Sequence, residues 1–407
     1  MRFPFLLMRL KHEIDLGYCT NIHRGETWEE TFGGLQLYTE EVRKRVSPTQ
    51  PYGIGLRLGN DACQQLVGNR AAKDEFRRWL DERNAYVFTI NGFPYGTFHG
   101  SRVKEQVYAP DWTTPERLNY TKRLFDLMVD LSPEGQSISV STVPGSFKGF
   151  IKPETRSEQL EAIYRNLSDC SDYIEVLKDK TGRDIHLGLE PEPLCLFETS
   201  EETIDFFDNF LSGKKGAERS RVLSNIGVNY DTCHLAIEYE EPGQSVRGLL
   251  NAGIRISKIH LSSALKLKPT VESIRRLGAF EDDVYLHQVV VRSGDDVTHR
   301  FVDLPEAFDW FSKNQSTAGD EWRVHFHVPL HARAIEYFED TRDQISGVFQ
   351  LLQATASEKG EVFCQHFEME TYTWEVLPEE FRSRDVVDQL EAEYKWTLSE
   401  FRRYCLA

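Results

Sequence analysis

The sequence has few cysteines and no cysteine motif. The seven cysteines are scattered over 407 residues, no two of them are spaced as CxxC, and their number is odd. Disulfide frameworks and structural zinc modules both need closely paired cysteines, so neither is indicated. We therefore expect a protein of the reducing cytoplasm.

Long hydrophobic runs and positive charge are also scarce. The apolar run Phe3–Met8 is short, leads into charged residues and has no small-residue cleavage site, unlike a membrane span or signal peptide. Lysine and arginine total 48 against 65 acidic residues, a net charge of −17, and no basic cluster interrupts this excess. Such a charge repels nucleic acids and anionic membranes, so we expect neither nucleic-acid binding nor membrane insertion.

Glycine-rich phosphate-binding motifs and flexible linkers are absent as well. The first predicted strand ends Gly17-Tyr-Cys-Thr-Asn-Ile-His23, with neither GxGxxG nor GxxxxGK[ST] after it, which disfavours a nucleotide-binding open sheet. The 27 glycines and 16 prolines form no linker-like stretch. We predict a single domain over residues 1–407.

The chain does contain a regular alternation of short apolar segments and longer segments of helical spacing. A sustained strand, loop and helix alternation is typical of a parallel sheet with right-handed crossovers. Without a phosphate loop, it favours an α/β fold of the (β/α)8 TIM barrel type. The predicted strands are His12–Ile22, Tyr52–Leu58, Tyr86–Ile90, Ser137–Val143, Ile185–Glu190, Ile226–Asp231, Ile254–Leu261, Val324–Val328 and Val362–Glu370.

One more strand is predicted than a barrel can hold, which indicates an insertion. Val284–Arg292 and Thr298–Val302 flank Ser293-Gly-Asp-Asp296 and predict a β-hairpin, which is foreign to a βα repeat. We place the insertion after the seventh strand, over residues 266–335, with its hairpin at 284–302. Either Val324–Val328 or Val362–Glu370 then closes the barrel, and the latter has the more polar end.

Carboxylates and imidazoles follow the predicted strands where each strand ends. These ends open on one face of a TIM barrel, so their side chains converge. A mixed oxygen and nitrogen donor set suits a divalent cation such as Mn²⁺, Zn²⁺, Fe²⁺ or Co²⁺, which would also relieve repulsion among the carboxylates. The predicted ligands are Glu190, Asp231, His260 and one of Glu368 or Glu370.

Side-chain alternation along a strand leaves two of these choices open. Glu368 and Glu370 point to the same side of their strand. Glu190 and Glu192 also share one side, if the strand that ends near Glu190 extends as far as Glu192. We favour Glu190 and Glu370 as ligands. His325 and His327 also share a face, and metal ligation and a polar strand face explain them equally well.

Further residues are candidates for substrate binding. An aromatic group around His99 could wall a ring-shaped ligand, and Trp28 could close its edge, although aromatics at a barrel mouth often only pack. Two cations, Lys148 and Arg57, could neutralise an oxygen-rich substrate, and a solvated surface charge is the simpler interpretation of both. The candidates are His99, Trp28, Lys148, Arg57 and Glu192.

The ordered set of Glu190-Pro-Glu-Pro, Asp231-x-x-His234, His260 and a glutamate on the closing strand resembles the xylose-isomerase-like TIM barrels. This superfamily contains sugar isomerases, epimerases and endonuclease IV. Stretches at 17–28, 189–195, 231–236, 324–330 and 368–374 further resemble the EboE-type metabolite traffic proteins of small bacterial operons. The resemblance implies a divalent metal on Glu190, Asp231, His260 and Glu370 or Glu368, with His234 facing the substrate or a second metal.

The activity that the resemblance implies is isomerisation or epimerisation of a polyhydroxylated, sugar-like metabolite by proton transfer next to a carbonyl. Glu190, Glu370 and His234 are then the candidate catalytic residues. One alternative is a metal-dependent phosphoesterase of the endonuclease IV type on a small substrate, with His99 and the pair His325 and His327 as added ligands. The other is a metabolite carrier without catalysis, because no further carboxylate matches the spacing of the second base in epimerases.

Overall fold

A computed structural model describes residues 10–96, 98, 103–332, 336–378 and 385–407. Its strands are β1 Asp15–Tyr18, β2 Tyr52–Arg57, β3 Ala85–Asn91, β4 Ile138–Thr142, β5 Ile185–Leu189, β6 Ile226–Asp231, β7 Ile256–Leu261, β8 Leu265–Leu267, β9 Val289–Ser293, β10 Asp296–Phe301, β11 Glu321–Val324, β12 Glu339–Asp340 and β13 His366–Met369. Its α-helices are α1 Trp28–Gly34, α2 Glu40–Val46, α3 Asn60–Gly68, α4 Arg70–Glu82, α5 Pro115–Leu131, α6 Arg156–Thr181, α7 Ser200–Phe210, α8 Gly216–Asn225, α9 Thr232–Ile237, α10 Pro242–Asn251, α11 Val271–Leu277, α12 Leu304–Lys313, α13 Arg342–Lys359 and α14 Val386–Arg403. Within these ranges, no helix is both long and apolar enough to cross a membrane.

Eight parallel strands form the barrel, in the order β1-β13-β7-β6-β5-β4-β3-β2. A parallel bridge between Cys19 and Gly55 joins the two outer strands of this order and brings the sheet close to a full ring. Every residue of these eight strands is buried, since helices cover the outer face and side chains fill the interior. The predicted (β/α)8 TIM barrel is confirmed.

The eighth barrel strand is β13, so Val362–Glu370 and not Val324–Val328 closes the barrel. Val324 instead ends β11, which pairs antiparallel with β8 and β9 in a separate sheet. The burial pattern explains this difference. Along β11, Trp322 and Val324 are buried while Glu321 and Arg323 are half-buried, which suits a sheet with one solvated face.

A second sheet of five strands, in the order β10-β9-β11-β8-β12, lies between the seventh and eighth barrel strands in the chain. The predicted hairpin is confirmed as the antiparallel pair β9 and β10, and its position after the seventh strand is also confirmed. Helices α11 and α12 cover this sheet with a small apolar core of their own, which includes Leu277, Phe311 and Trp322. The chain therefore leaves the barrel after β7 and returns at β13.

The C-terminal helix α14 carries a buried glutamate that joins two loops near the barrel mouth. Glu393 is fully buried, and its Oε1 atom accepts hydrogen bonds from Leu330 N at 3.1 Å and Thr371 Oγ1 at 2.8 Å. Burial raises the pKa of Glu393 to about 7, which its hydrogen bonds only partly oppose. The folded protein therefore holds a proton here that an unfolded chain would release.

This proton makes a testable contribution to stability. The folded-state pKa of about 7 exceeds the ordinary value of 4.5, so wild-type stability should fall as pH rises between those values. Glu393→Gln keeps the accepting oxygen and cannot ionise. Its unfolding free energy, measured in urea across this range, should rise relative to wild type by up to about 3 kcal/mol. Glu400→Gln, on the same helix, is the control, and a parallel pH profile for both variants would contradict the assignment.

Candidate metal centre

Four neighbouring barrel strands bring the predicted ligands together. Glu190 and Glu370 directly follow β5 and β13, while Asp231 and His260 lie on β6 and β7, which separate those strands in the sheet. All four side chains are buried, and each offers one donor atom within 4.8 Å of the other three. We call these four residues the first cluster.

The imidazole of His260 is the centre of the first cluster. Its Nδ1 atom lies 3.1 Å from Glu190 Oε1, 3.1 Å from Glu370 Oε2 and 3.4 Å from Asp231 Oδ2. Burial lowers the pKa of His260, but Glu370 and Glu190 more than offset this and raise it well above its usual range. Three carboxylates around one imidazole leave a negative charge that a dication would neutralise, and the donor set suits one.

Asparagines hold the outer oxygens of both glutamates. Asn229 Nδ2 donates to Glu190 Oε2 at 2.7 Å, and Asn21 Nδ2 and Asn91 Nδ2 donate to Glu370 Oε1 at 2.7 and 3.0 Å. The inner oxygens thereby stay directed at the cluster. A sequence pattern of carboxylates and imidazoles does not reveal these asparagines, although Asn91 ends its strand as Asp231 does.

Asp231 serves two purposes with its two oxygens. Its Oδ1 atom caps helix α9 by accepting from Cys233 N at 2.7 Å and His234 N at 3.0 Å, and it also accepts from Ser262 Oγ at 2.5 Å. Its Oδ2 atom is buried and accepts no hydrogen bond. A buried carboxylate oxygen without a donor is costly unless a cation binds it, which is a second indication that the cluster fits a metal ion.

Glu368 lies behind His260 and outside the first cluster. Its Oε2 atom is 3.0 Å from His260 Nε2, and it forms an ion pair with Lys258, which also donates to Ser141 Oγ at 2.9 Å. Burial opposes ionisation, but Lys258 and His260 together lower the pKa of Glu368 to about 2. The carboxylate thus orients the imidazole so that Nδ1 faces the ligands. Of the two glutamates that the sequence left open, Glu370, directly after β13, has the position of a ligand.

The Glu368 carboxylate occupies space that only a glycine leaves free. A Cβ atom on Gly55 would lie 1.8 Å from Glu368 Oε1, so Gly55→Ala must displace the carboxylate from Lys258 and His260. We expect a loss of about 1–3 kcal/mol in unfolding free energy and weaker Mn²⁺ binding, measured by denaturant titration and calorimetry. In helix α1, Gly33 has open space around it, so Gly33→Ala is the control. Equal effects of the two variants would contradict this packing.

Three further imidazoles meet beside the first cluster. His325 Nε2 lies 3.1 Å from His234 Nε2 and 3.2 Å from His327 Nε2. Asp231 and Glu192 also have oxygens within reach of parts of this group. We call His234, His325 and His327 the imidazole cluster.

The tautomers of these histidines follow from their other ring nitrogens. Each Nδ1 atom contacts an oxygen that can only accept a hydrogen bond: Pro191 O at 3.1 Å, Gln288 Oε1 at 2.6 Å and Glu370 O at 3.0 Å, in the order His234, His325, His327. In a neutral ring these contacts place the proton on Nδ1 and the lone pair on Nε2, and the three Nε2 atoms face one another. Burial lowers the pKa of His234 to about 4 and that of His325 well below its usual range, which keeps both rings neutral.

A cavity of about 550 Å³, part of it open to solvent, adjoins both clusters. Glu190, Glu370, His234 and His325 line its floor, as does Glu192. Tyr108 donates a hydrogen bond of 2.7 Å to Glu192 Oε1, and burial raises the pKa of this glutamate well above its usual range. Of the predicted substrate-binding residues, Glu192 thus has a position where it can contact a ligand.

The other predicted substrate-binding residues are placed differently. Trp28 packs on Phe32 with ring centroids 5.3 Å apart, and the buried Arg57 guanidinium binds two backbone carbonyl oxygens and Glu26. Lys148 forms an ion pair with Glu198. None of the three is among the described residues that line the cavity, so each has a structural partner instead. His99 lies outside the described residues.

Comparison with known proteins agrees with this architecture. Residues 53–310, more than half of the chain, match the model of the xylose isomerase-like TIM barrel family. No curated protein matches the chain.

Several solved structures are similar in fold. A xylose isomerase-like TIM barrel protein from Mycobacterium smegmatis in complex with magnesium is 13% identical, with a TM-score of 0.52 over 97% of this chain and 99% of that one. A xylose isomerase domain protein from Planctomyces limnophilus is 14% identical, with a TM-score of 0.49 over 96% and 99% of the two chains. The probable 3-DHS dehydratase AsbF from Bacillus anthracis is 14% identical, with a TM-score of 0.46 over 93% and 97%. With its barrel and the family match taken together, the chain belongs to the xylose isomerase-like TIM barrel family.

Proposed function

We propose that this protein is a divalent-metal-dependent isomerase or epimerase that acts on a sugar-like metabolite by moving a proton next to a carbonyl. The observation that carries the proposal is the placement of Glu190 and Glu370. The strands that present them are separated in the barrel by β6 and β7, so the two carboxylates lie on opposite sides of the first cluster. Proton removal from one face of a carbon and return to the other needs this arrangement.

Each residue of the first cluster would have a defined role in this reaction. A divalent cation held by Glu190, Asp231, His260 and Glu370 would polarise a substrate carbonyl and neutralise charge on its oxygens. The carboxylates of Glu190 and Glu370 would take and return the proton. Their asparagine donors keep both carboxylates in place, and Glu368 keeps His260 in the required orientation.

We further propose that the protein is of the EboE type and acts on its metabolite in the cytoplasm. The support is the set of motifs named above, from Gly17 to Trp374, together with unpaired cysteines. A carrier without catalysis would share these motifs. A measurement of turnover distinguishes such a carrier from an enzyme.

The test is hydrogen exchange with solvent. Manganese-loaded protein is incubated with pentoses, hexoses and their ketose isomers in D₂O, and mass spectrometry of the sugars should detect one added deuterium per turnover. Glu190→Gln and Glu370→Gln should lower the exchange rate at least roughly 100-fold, since each removes one proton acceptor. Glu201→Gln, at the exposed start of α7, should leave it unchanged. Exchange that survives both active-site replacements, or no exchange with any sugar, would count against the proposal.

A second candidate is a metal-dependent phosphoesterase with a small substrate, and the imidazole cluster favours it. Three converging lone pairs beside the first cluster suit a second ion, and Asp231 can reach both groups. Two ions a short distance apart can hold both the attacking and the leaving oxygen of a phosphoryl transfer.

Metal content distinguishes the two candidates. His327→Ala removes one imidazole and leaves all four residues of the first cluster intact. If the imidazole cluster binds an ion, elemental analysis should give two ions per wild-type chain and one per variant chain. One ion in both would restrict metal binding to the first cluster and favour the isomerase, and Asn314→Ala serves as the control for handling losses.

A further inference from the structure

The cavity at the two clusters has both polar and apolar side chains in its lining. The carboxylates and imidazoles described above form its floor. The rest of the lining, which we call the wall, is formed mainly by aromatic and aliphatic side chains, among them Phe93, Phe98, Val103, Tyr285, Leu286 and Tyr372. Aliphatic side chains offer no hydrogen bond to a substrate hydroxyl group.

The aromatic part of the wall is continuous, although its rings come from distant parts of the chain. Phe98 lies 5.4 Å from Tyr285 and 5.3 Å from Tyr372 between ring centroids, and the two tyrosines lie 5.2 Å apart. Phe98 follows β3, Tyr285 belongs to the segment before β9, and Tyr372 follows β13. The inserted segment therefore completes the wall of the barrel's cavity.

The cation on this wall is turned away from the cavity. Lys104 lines the wall, but its ammonium group donates to Tyr285 O at 2.6 Å, Asp282 O at 3.0 Å and Asp303 Oδ2 at 2.7 Å. Three acceptors use all three of its protons. Of the wall residues that the structure describes, none thus offers a free positive charge to a phosphate group on the substrate.

These contacts constrain what the cavity can hold. Substrate hydroxyls that face Phe93, Val103 or Leu286 would give up hydrogen bonds to water without replacement, whereas an apolar group would not. We infer that the substrate is amphiphilic: an oxygen-bearing reactive end faces the carboxylates, and an apolar ring or chain faces the wall. This inference rests on the proposed metal-dependent function and adds the substrate class.

Two hydroxamates with the same chelating head and different tails test this inference. Benzohydroxamate carries an aromatic ring, and D-threonohydroxamate carries a short polyhydroxylated chain. Titrated calorimetrically into the manganese-loaded full-length protein, benzohydroxamate should bind at least roughly 10-fold more tightly, a margin that apolar pockets reach against added hydroxyl groups. Leu286→Gln should reduce this preference several-fold and leave the affinity for D-threonohydroxamate nearly unchanged.

Leu223→Gln is the matched control, because Leu223 is half-buried like Leu286 but does not line the cavity. Equal binding of the two hydroxamates, or tighter binding of D-threonohydroxamate, would overturn the inferred substrate class and leave the metal centre standing. If neither compound binds the manganese-loaded protein, the metal-dependent function fails, and the inference fails with it. An equal loss of preference in the two leucine variants would also overturn the role of the wall.

Discussion

Asp231→Asn is expected to reduce metal affinity at least roughly 100-fold, beyond the effect usual for residues that only support a ligand. Asp231 Oδ2 has no hydrogen-bond donor and faces His260 Nδ1, so it is the oxygen most clearly in need of a cation. Asparagine can keep the Oδ1 contacts that cap α9, while its amide group would present hydrogens where the cation requires a lone pair. The fold should therefore survive the change while metal binding does not.

The measurement is manganese binding by competition with a chelator, accompanied by circular dichroism to verify the fold. Asp385→Asn is the control, because Asp385 caps α14 through the same kind of contact and belongs to neither cluster. Full metal affinity in the Asp231 variant would show that the first cluster is not the binding site. Loss of affinity in both variants would indicate a general effect of removing helix caps.

Lys258→Met is expected to lower the free energy of unfolding by about 3–5 kcal/mol, the usual cost of removing one partner of a buried ion pair. Lys258 and Glu368 both have fully buried side chains, so the carboxylate left behind has no access to water. Methionine has nearly the shape of the lysine stem, which keeps the packing change small. The loss should be seen in urea unfolding of the metal-free protein.

The double variant Lys258→Met with Glu368→Leu separates stability from metal binding. It should recover much of the lost stability, because both members of the buried ion pair are then removed. Manganese affinity should stay about 10–100-fold low, since the Glu368 carboxylate no longer orients His260. Lys395→Met breaks an exposed pair with Glu391 and should change stability by under about 1 kcal/mol. If the buried and exposed replacements cost the same, the ion pair does not stabilise the barrel.

The sequence alone was sufficient to predict the barrel, and it singled out Asp231 and His260 as candidate ligands while leaving the glutamates open. Strand side chains and strand ends follow local rules, so Asp231 and His260 could be recognised from their place at the ends of apolar segments. The hairpin at β9 and β10 was predictable for the same reason, because its turn residues are adjacent in the chain. Local patterns also indicated metal ligation by His325 and His327, but a polar strand face explained the two histidines equally well.

The tertiary structure decided everything that depends on which segments become neighbours. Glu368 and Glu370 have the same strand face and the same sequence signal. Only side chains from the adjacent strands, Lys258 on β7 and Asn21 after β1, distinguish their positions. Long-range contacts likewise place Arg57 against backbone carbonyls, and it is not among the residues that line the cavity. The local pattern predicts the strands and the residues at their ends because it acts within a few positions. The partners of each side chain come from segments up to hundreds of residues away, and only packing of the whole chain determines them.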